Sequence, residues 1–265
     1  MLTTLANYQL IAGNLDASLK RVSQQPEVQR EVEYYLSRIK EIKSIDEFMA
    51  DDRVYRFAME ASGLGDMIYA KAFMRKVLEE GIESPDSFAN KLADSRFREF
   101  ARRFNFASFG SAATTFERAR QEVVDDYIRL KLEKDAGQTD EGVRLALYFR
   151  RRAPGIRNGY DILADRALMK VAETVLGYSL AYGDVDRNAR IIEERLPIED
   201  FKDPEKLEKF LVRFATMWQM NNGSGSTAGA GAPASAGGIL FPQPIEAGIS
   251  SDLLASLQKI KLGGF

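Results

Sequence analysis

The chain has 265 residues, with 37 Lys and Arg against 39 Asp and Glu, and neither histidine nor cysteine. Disulfides, structural zinc sites, Cys–His nucleophiles and Ser–His–Asp triads are excluded, because each needs an imidazole or a thiolate. A net charge of −2 argues against nucleic acid as the main partner, while 45% hydrophobic residues supply a sizeable core.

Met1–Tyr8 lacks a charged segment followed by a long apolar run, so it does not read as a secretory signal. Through residues 1–222 the apolar spacing is helical and strand-like alternation is hard to find, so an all-α, multihelical body is expected. Pro26 fits a first helical position after Gln25, and Ser44 with Glu47 has capping-box spacing. Asp51-x-Arg53-Val54-x-x-Phe57-Ala58 is echoed by Asp94-x-Arg96-Phe97-x-x-Phe100-Ala101, which suggests a recurrent helix start in which an acid caps and Phe-Ala packs. Gly63-Leu64-Gly65 reads as a helix-ending turn before Asp66 caps the next helix. Ser84-Pro85-Asp86 and Asp203-Pro204-Glu205 each offer a cap, a first-turn proline and an acidic first turn. Phe116, Ala119, Val123, Tyr127 and Leu130 fall on one face of a longer helix that should end near Gly137.

A gapless shift of 114 residues places residues 30–104 on residues 144–218 with thirteen of 75 positions identical, among them Tyr34/Tyr148, Asp51/Asp165, Gly63/Gly177 and Phe100/Phe214. That count exceeds chance and predicts an internal duplication, with interleaved rather than separate halves. Phe97, Phe100, Ala101 and Phe104, and likewise Leu211, Phe214, Ala215 and Trp218, form apolar stripes at i, i+3, i+4 and i+7 on which a neighbouring helix can seat.

Residues able to do chemistry are sparse. Glu79-Glu80 and Glu193-Glu194 are adjacent on helices, so their carboxylates diverge by about 100° and do not converge on one substrate. Asp184 and Asp186 do not develop into a calcium loop, and no glycine-rich phosphate cradle exists, so neither metal nor cofactor is expected. Catalysis by carboxylates alone would need two acids from distant segments about 5–9 Å apart. Arg150, Arg151 and Arg152 close a helix, where they meet the dipole and unpaired carbonyls; the same cluster could receive an acidic partner surface.

Residues 223–238, all Gly, Ser, Thr, Ala or Pro, read as a flexible linker, with an end-to-end distance of roughly 22 Å for a coil of this length. In the tail, 239–265, Ser250-Ser251-Asp252 starts a short amphipathic helix whose Leu253, Leu254, Leu257 and Ile260 share one face. So short a helix is marginal in water, so it should fold by docking on its own body, on a neighbouring subunit or on another protein. No run is apolar enough to span a membrane.

Tyr34-Tyr35, Asp51 to Ala58, Tyr69-Ala70-Lys71-Ala72-Phe73, Phe88 to Phe97, Phe104-Asn105-Phe106, Ala146 to Arg151 and Arg213 to Trp218 together resemble an alphaproteobacterial family catalogued as domain of unknown function 1217. The likeness covers most of Ser18 to Trp218. It implies an all-helical protein, often encoded among flagellar genes, with no attached activity or catalytic residue. The expectation is therefore a non-enzymatic flagellar structural or assembly protein, self-associating or bound to another flagellar component. The alternative is a cytosolic adaptor or export chaperone for such a component. The chain would be made in the cytoplasm, and either stay there or join the flagellum by type III export.

Overall fold

The computed structural model describes residues 2–181 and 183–222, all helix, turn and connecting loop with no strand among them. The linker at 223–238 and the tail at 239–265, with Leu253, Leu254, Leu257 and Ile260, lie outside the described residues. The body opens with α1 (Thr4–Ala12), α2 (Leu15–Ser23) and α3 (Pro26–Ile39), the last starting on the proline whose missing N–H costs nothing in a first turn. In α4 (Ile45–Ala50), Ser44 Oγ accepts from Glu47 N–H at 3.2 Å. The Glu47 carboxylate reaches past the cap to Lys43 N–H at 2.7 Å, so the box is displaced by one residue. Asp51 caps α5 (Asp52–Ala61) through Val54 N–H at 3.1 Å, and Asp94 caps α8 (Ser95–Arg103) through Arg96 N–H at 2.9 Å. Phe57, Ala58, Phe100 and Ala101 are all buried behind these caps, so the recurrent helix start is real.

Gly63 ends α5 at φ +73°, where its N–H donates to Glu60 O and Leu64 N–H donates to Met59 O, both at 2.8 Å. This is a Schellman turn, and buried Leu64 anchors it. Asp66 does not cap the next helix. It sits in a 3-10 turn, Gly65–Met67, and α6 (Lys71–Glu80) begins after Ala70 with no side-chain cap. Ser84-Pro85-Asp86 also departs from expectation and forms a turn, in which Asn90 Nδ2 donates to the carbonyls of Ile82 and Ser84 at 2.9 and 2.8 Å. Glu80 instead accepts from Phe88 N–H at 2.5 Å, and the short α7 (Phe88–Lys91) starts there.

After α9 (Phe106–Phe109) the long helix α10 (Gln121–Thr139) starts five residues later than Phe116, because Phe116 is extended and Arg120 is non-helical. It continues through Gly137, since the next N-cap is Asp140, which accepts from Gly142 N–H at 2.8 Å and opens α11 (Glu141–Arg152). Ala119, Val123 and Tyr127 are buried as expected, whereas Leu130 is only half-buried. Four further helices complete the body: α12 (Gly159–Leu163), α13 (Arg166–Leu176), α14 (Val185–Arg195) and α15 (Pro204–Asn222). Asp203 caps α15 through Glu205 and Lys206 N–H, as its sequence predicts.

Phe97, Phe100, Ala101 and Phe104 are buried, as are Leu211, Phe214 and Ala215, while Trp218 is half-buried. Phe48 is a hub, its ring centroid 4.9–6.3 Å from those of Tyr55, Phe100, Phe104 and Phe106. Phe149, Phe201 and Phe210 form a second ring cluster at 4.8–5.1 Å. Both belong to one continuous hydrophobic core that draws on both sequence halves.

The shift of 114 residues also relates backbone details. It carries the first residues of α4, α5 and α6 onto those of α12, α13 and α14. It carries the Ser44 cap onto Asn158, which accepts from Asp161 N–H at 3.0 Å, and the Lys43–Glu47 bond onto that of Arg157 N–H with Asp161 at 2.9 Å. Tyr34 Oη donates to Asp51 at 3.2 Å, and Tyr148 Oη donates to Asp165, the cap of α13. Gly63 at φ +73° corresponds to Gly177 at φ +80°. The match stops at the end of each half: α7, α8 and α9 are three short helices where α15 is one. Asp94 and Asn105 are N-caps in the first half, whereas Glu208 and Gln219 stand inside α15.

Gly159 opens α12 where the backbone of α14 passes closely. A Cβ there would stand 2.4 Å from Ala189 O and 2.8 Å from Ala189 Cα, and backbone cannot step aside as a flexible side chain can. Gly159→Ala is expected to lose about 1–3 kcal/mol in urea unfolding. Gly177→Ala, where the added carbon meets nothing, should lose only the left-handed-backbone cost of about 1 kcal/mol.

Candidate functional site

The last turn of α11 carries Arg150, Arg151 and Arg152, as the helix-end reading predicts, and each guanidinium finds an internal carboxylate. Arg150 Nη1 donates to Glu208 Oε2 at 2.6 Å and to Tyr8 Oη at 3.1 Å, and Tyr8 Oη donates to Glu208 at 2.9 Å. Arg152 Nη1 donates to Glu99 Oε2 at 2.9 Å, tying α11 to α8. Arg151 makes two parallel bonds to Glu133, at 2.7 and 2.9 Å, with side chains only 12% and 5% exposed, so this is a buried ion pair. Burial acts to lower the pKa of Arg151, but the hydrogen bonds and charge of Glu133 outweigh it, so the guanidinium is held even more firmly charged than usual. The Arg151 guanidinium also lies 5.1 Å from the centroid of the Tyr148 ring. The cluster thus links α1, α8, α10, α11 and α15.

Beside it lies a cavity of 210 Å³. Leu15 and Leu19 of α2, Leu132 of α10, Leu147 of α11, Phe201 of the 3-10 turn Ile198–Lys202, and Leu207 of α15 supply its apolar wall, with Pro154 and Pro204 at its edge. Its charged lining is Arg129, Glu133, Arg150, Arg151 and Lys202. Arg150 and Arg151 are legible as a cluster in the sequence. Leu15, Leu19 and Arg129 are not, because Leu15, Leu19 and Val22 repeat at i, i+4 and i+7 as any core-facing stripe does.

The other candidate acids do not meet. Glu79 and Glu80 pair with Arg75 and Lys76 along α6 at 3.6 and 3.7 Å; Glu193 accepts from Gly159 N–H at 2.8 Å. Asp184 caps α14, and Asp186 accepts from Tyr160 Oη at 2.9 Å. Among the described residues no three Asp or Glu side chains gather as they would around a metal ion, and no helix is long and apolar enough to cross a membrane.

Fold and cluster together define an all-α protein whose centre is a carboxylate-tied arginine turn flanking an apolar cavity. Residues 61–207 match the model of a family described as a protein of unknown function, DUF1217, and the chain belongs to that family. It is similar to the X-ray crystal structure of protein AGR_C_984 from Agrobacterium tumefaciens, with 50% sequence identity over 81% of this chain and 92% of that one and a TM-score of 0.77. No curated protein matches the chain.

Proposed function

We propose that the protein is a non-enzymatic structural or assembly component of the bacterial flagellum that works through helix-mediated protein contacts. The observation that carries the reading is a pair of exposed apolar side chains near the two ends of the body. Thr4 Oγ1 bonds Asp140, the cap of α11, and Trp218 rests on Gly142 in the first turn of the same helix, so the start of α1 and the end of α15 lie together. Near these ends Leu2 is 63% and Met220 80% exposed, which leaves both side chains open to contact. The flagellar link rests on the gene neighbourhood that the family resemblance implies. The same reading takes the two halves as copies of one unit, supported by the bonds and caps that recur at a shift of 114 residues.

Fractionation of a flagellated cell carrying the gene tests the role. Protein is expected in sheared flagella or basal bodies, and Leu2→Ser with Met220→Ser should reduce that share several-fold at unchanged expression. A wholly cytosolic pool bound to one flagellar client would reject the structural role in favour of an adaptor or export chaperone.

A further inference from the structure

The cavity beside the arginine turn does not depend on the flagellar reading. Leu19, Leu147 and Phe201 line it from three different elements, Leu132 of α10 and Leu207 of α15 add to its wall, and it is a pit open to solvent at its mouth. At 210 Å³ it falls below the roughly 300–1,000 Å³ that enclose drug-sized ligands, and a pit of that size admits one narrow chain rather than the flank of a helix. Four cations line it against one carboxylate, Glu133, whose two oxygens are both taken by Arg151. Arg150 and Lys202 are held by Glu208 and Glu199, at 2.6 and 2.8 Å. Arg129, exposed on α10, makes no ion pair among the described residues.

We propose that this pit binds an anionic amphiphile with a single short alkyl chain, a medium-chain carboxylate, its chain against Leu19, Leu147 and Phe201 and its head on Arg129. The apolar wall supplies the burial term and the unpaired guanidinium supplies two planar donors that match a carboxylate.

The test is calorimetric titration of the full chain with sodium decanoate below its micelle concentration, with decyltrimethylammonium as a probe of equal chain and opposite charge. Decanoate is expected to bind at one site per chain. Arg129→Glu should weaken it about tenfold, the effect of losing one charge-assisted contact. Leu19→Trp, which fills the pit, should abolish it, with far-ultraviolet circular dichroism checking that the helices persist. If Leu19→Trp does not fold, Leu15→Trp from the same wall replaces it. Equal binding of both amphiphiles, decanoate affinity unchanged in Arg129→Glu, or no binding of decanoate, whether or not an acidic amphipathic peptide binds, would each overturn the proposal.

Discussion

Raising the pH above about 10 is expected to unfold the protein steeply, because buried tyrosines hold protons that the unfolded chain releases. Tyr8 and Tyr35 are wholly buried and Tyr148 nearly so, and each donates its hydroxyl inward, to Glu208, to the Ala119 carbonyl at 2.6 Å, and to Asp165. Burial raises the pKa of all three, and the charges of Glu208 and Asp165 raise Tyr8 and Tyr148 further. Unfolded tyrosine loses its proton near pH 10, so above that pH the unfolded state binds fewer protons than the native one and stability falls as pH rises. Their contribution is fully present below about pH 10, and its loss costs about 1.4 kcal/mol per pH unit for each tyrosine, about 4 for three together. Against a total of roughly 5–15 kcal/mol, cooperative loss of helix by about pH 12 is expected. Burial raises Tyr55 and Tyr127 as well, so circular dichroism and the tyrosinate absorbance of the buried rings should change together, and Tyr35→Phe should flatten the slope by about a fifth. Ionisation of all ten tyrosines near pH 10 while the helices persist would refute the account.

Glu133→Ala is expected to cost about 3–5 kcal/mol, since it strands the Arg151 guanidinium without its bidentate partner among Leu132, Leu147 and Tyr148. The remedy distinguishes a stranded charge from a lost contact. A double variant, Glu133→Leu with Arg151→Met, removes both charges and fills the space, and should recover most of the loss. Urea unfolding of the three proteins decides. A single variant within about 1 kcal/mol of the parent would mean that water reaches Arg151 in the native state.

Much of the fold is legible in the sequence because local chemistry agrees with the global arrangement. Pro26, Asp51, Asp94 and Asp203 stand where their sequence neighbours place a cap or a first turn, and the bonds that they make need no distant partner. The segments that depart from expectation are those settled by long-range or competing contacts. Glu80 takes Phe88 N–H before Ser84-Pro85-Asp86 can open a helix, and nothing local at Phe116 shows that Arg120 will break the backbone. The cluster around Arg150, Arg151 and Arg152 is visible as charge, but its partners Glu208, Glu133 and Glu99 come from three other helices. No spacing rule reaches across 58, 18 and 53 residues. The cavity is less legible still, since its leucines repeat with the same helical period as the core.

The close seat of Trp218 on Gly142 leaves no room for even a methyl group, whose carbon would stand 2.3 Å from the indole. It is also the chain's sole tryptophan, four residues before α15 ends. Its fluorescence therefore belongs to a single joint, and a red shift in emission would report, without any label, the moment that joint loosens under load, partner or heat.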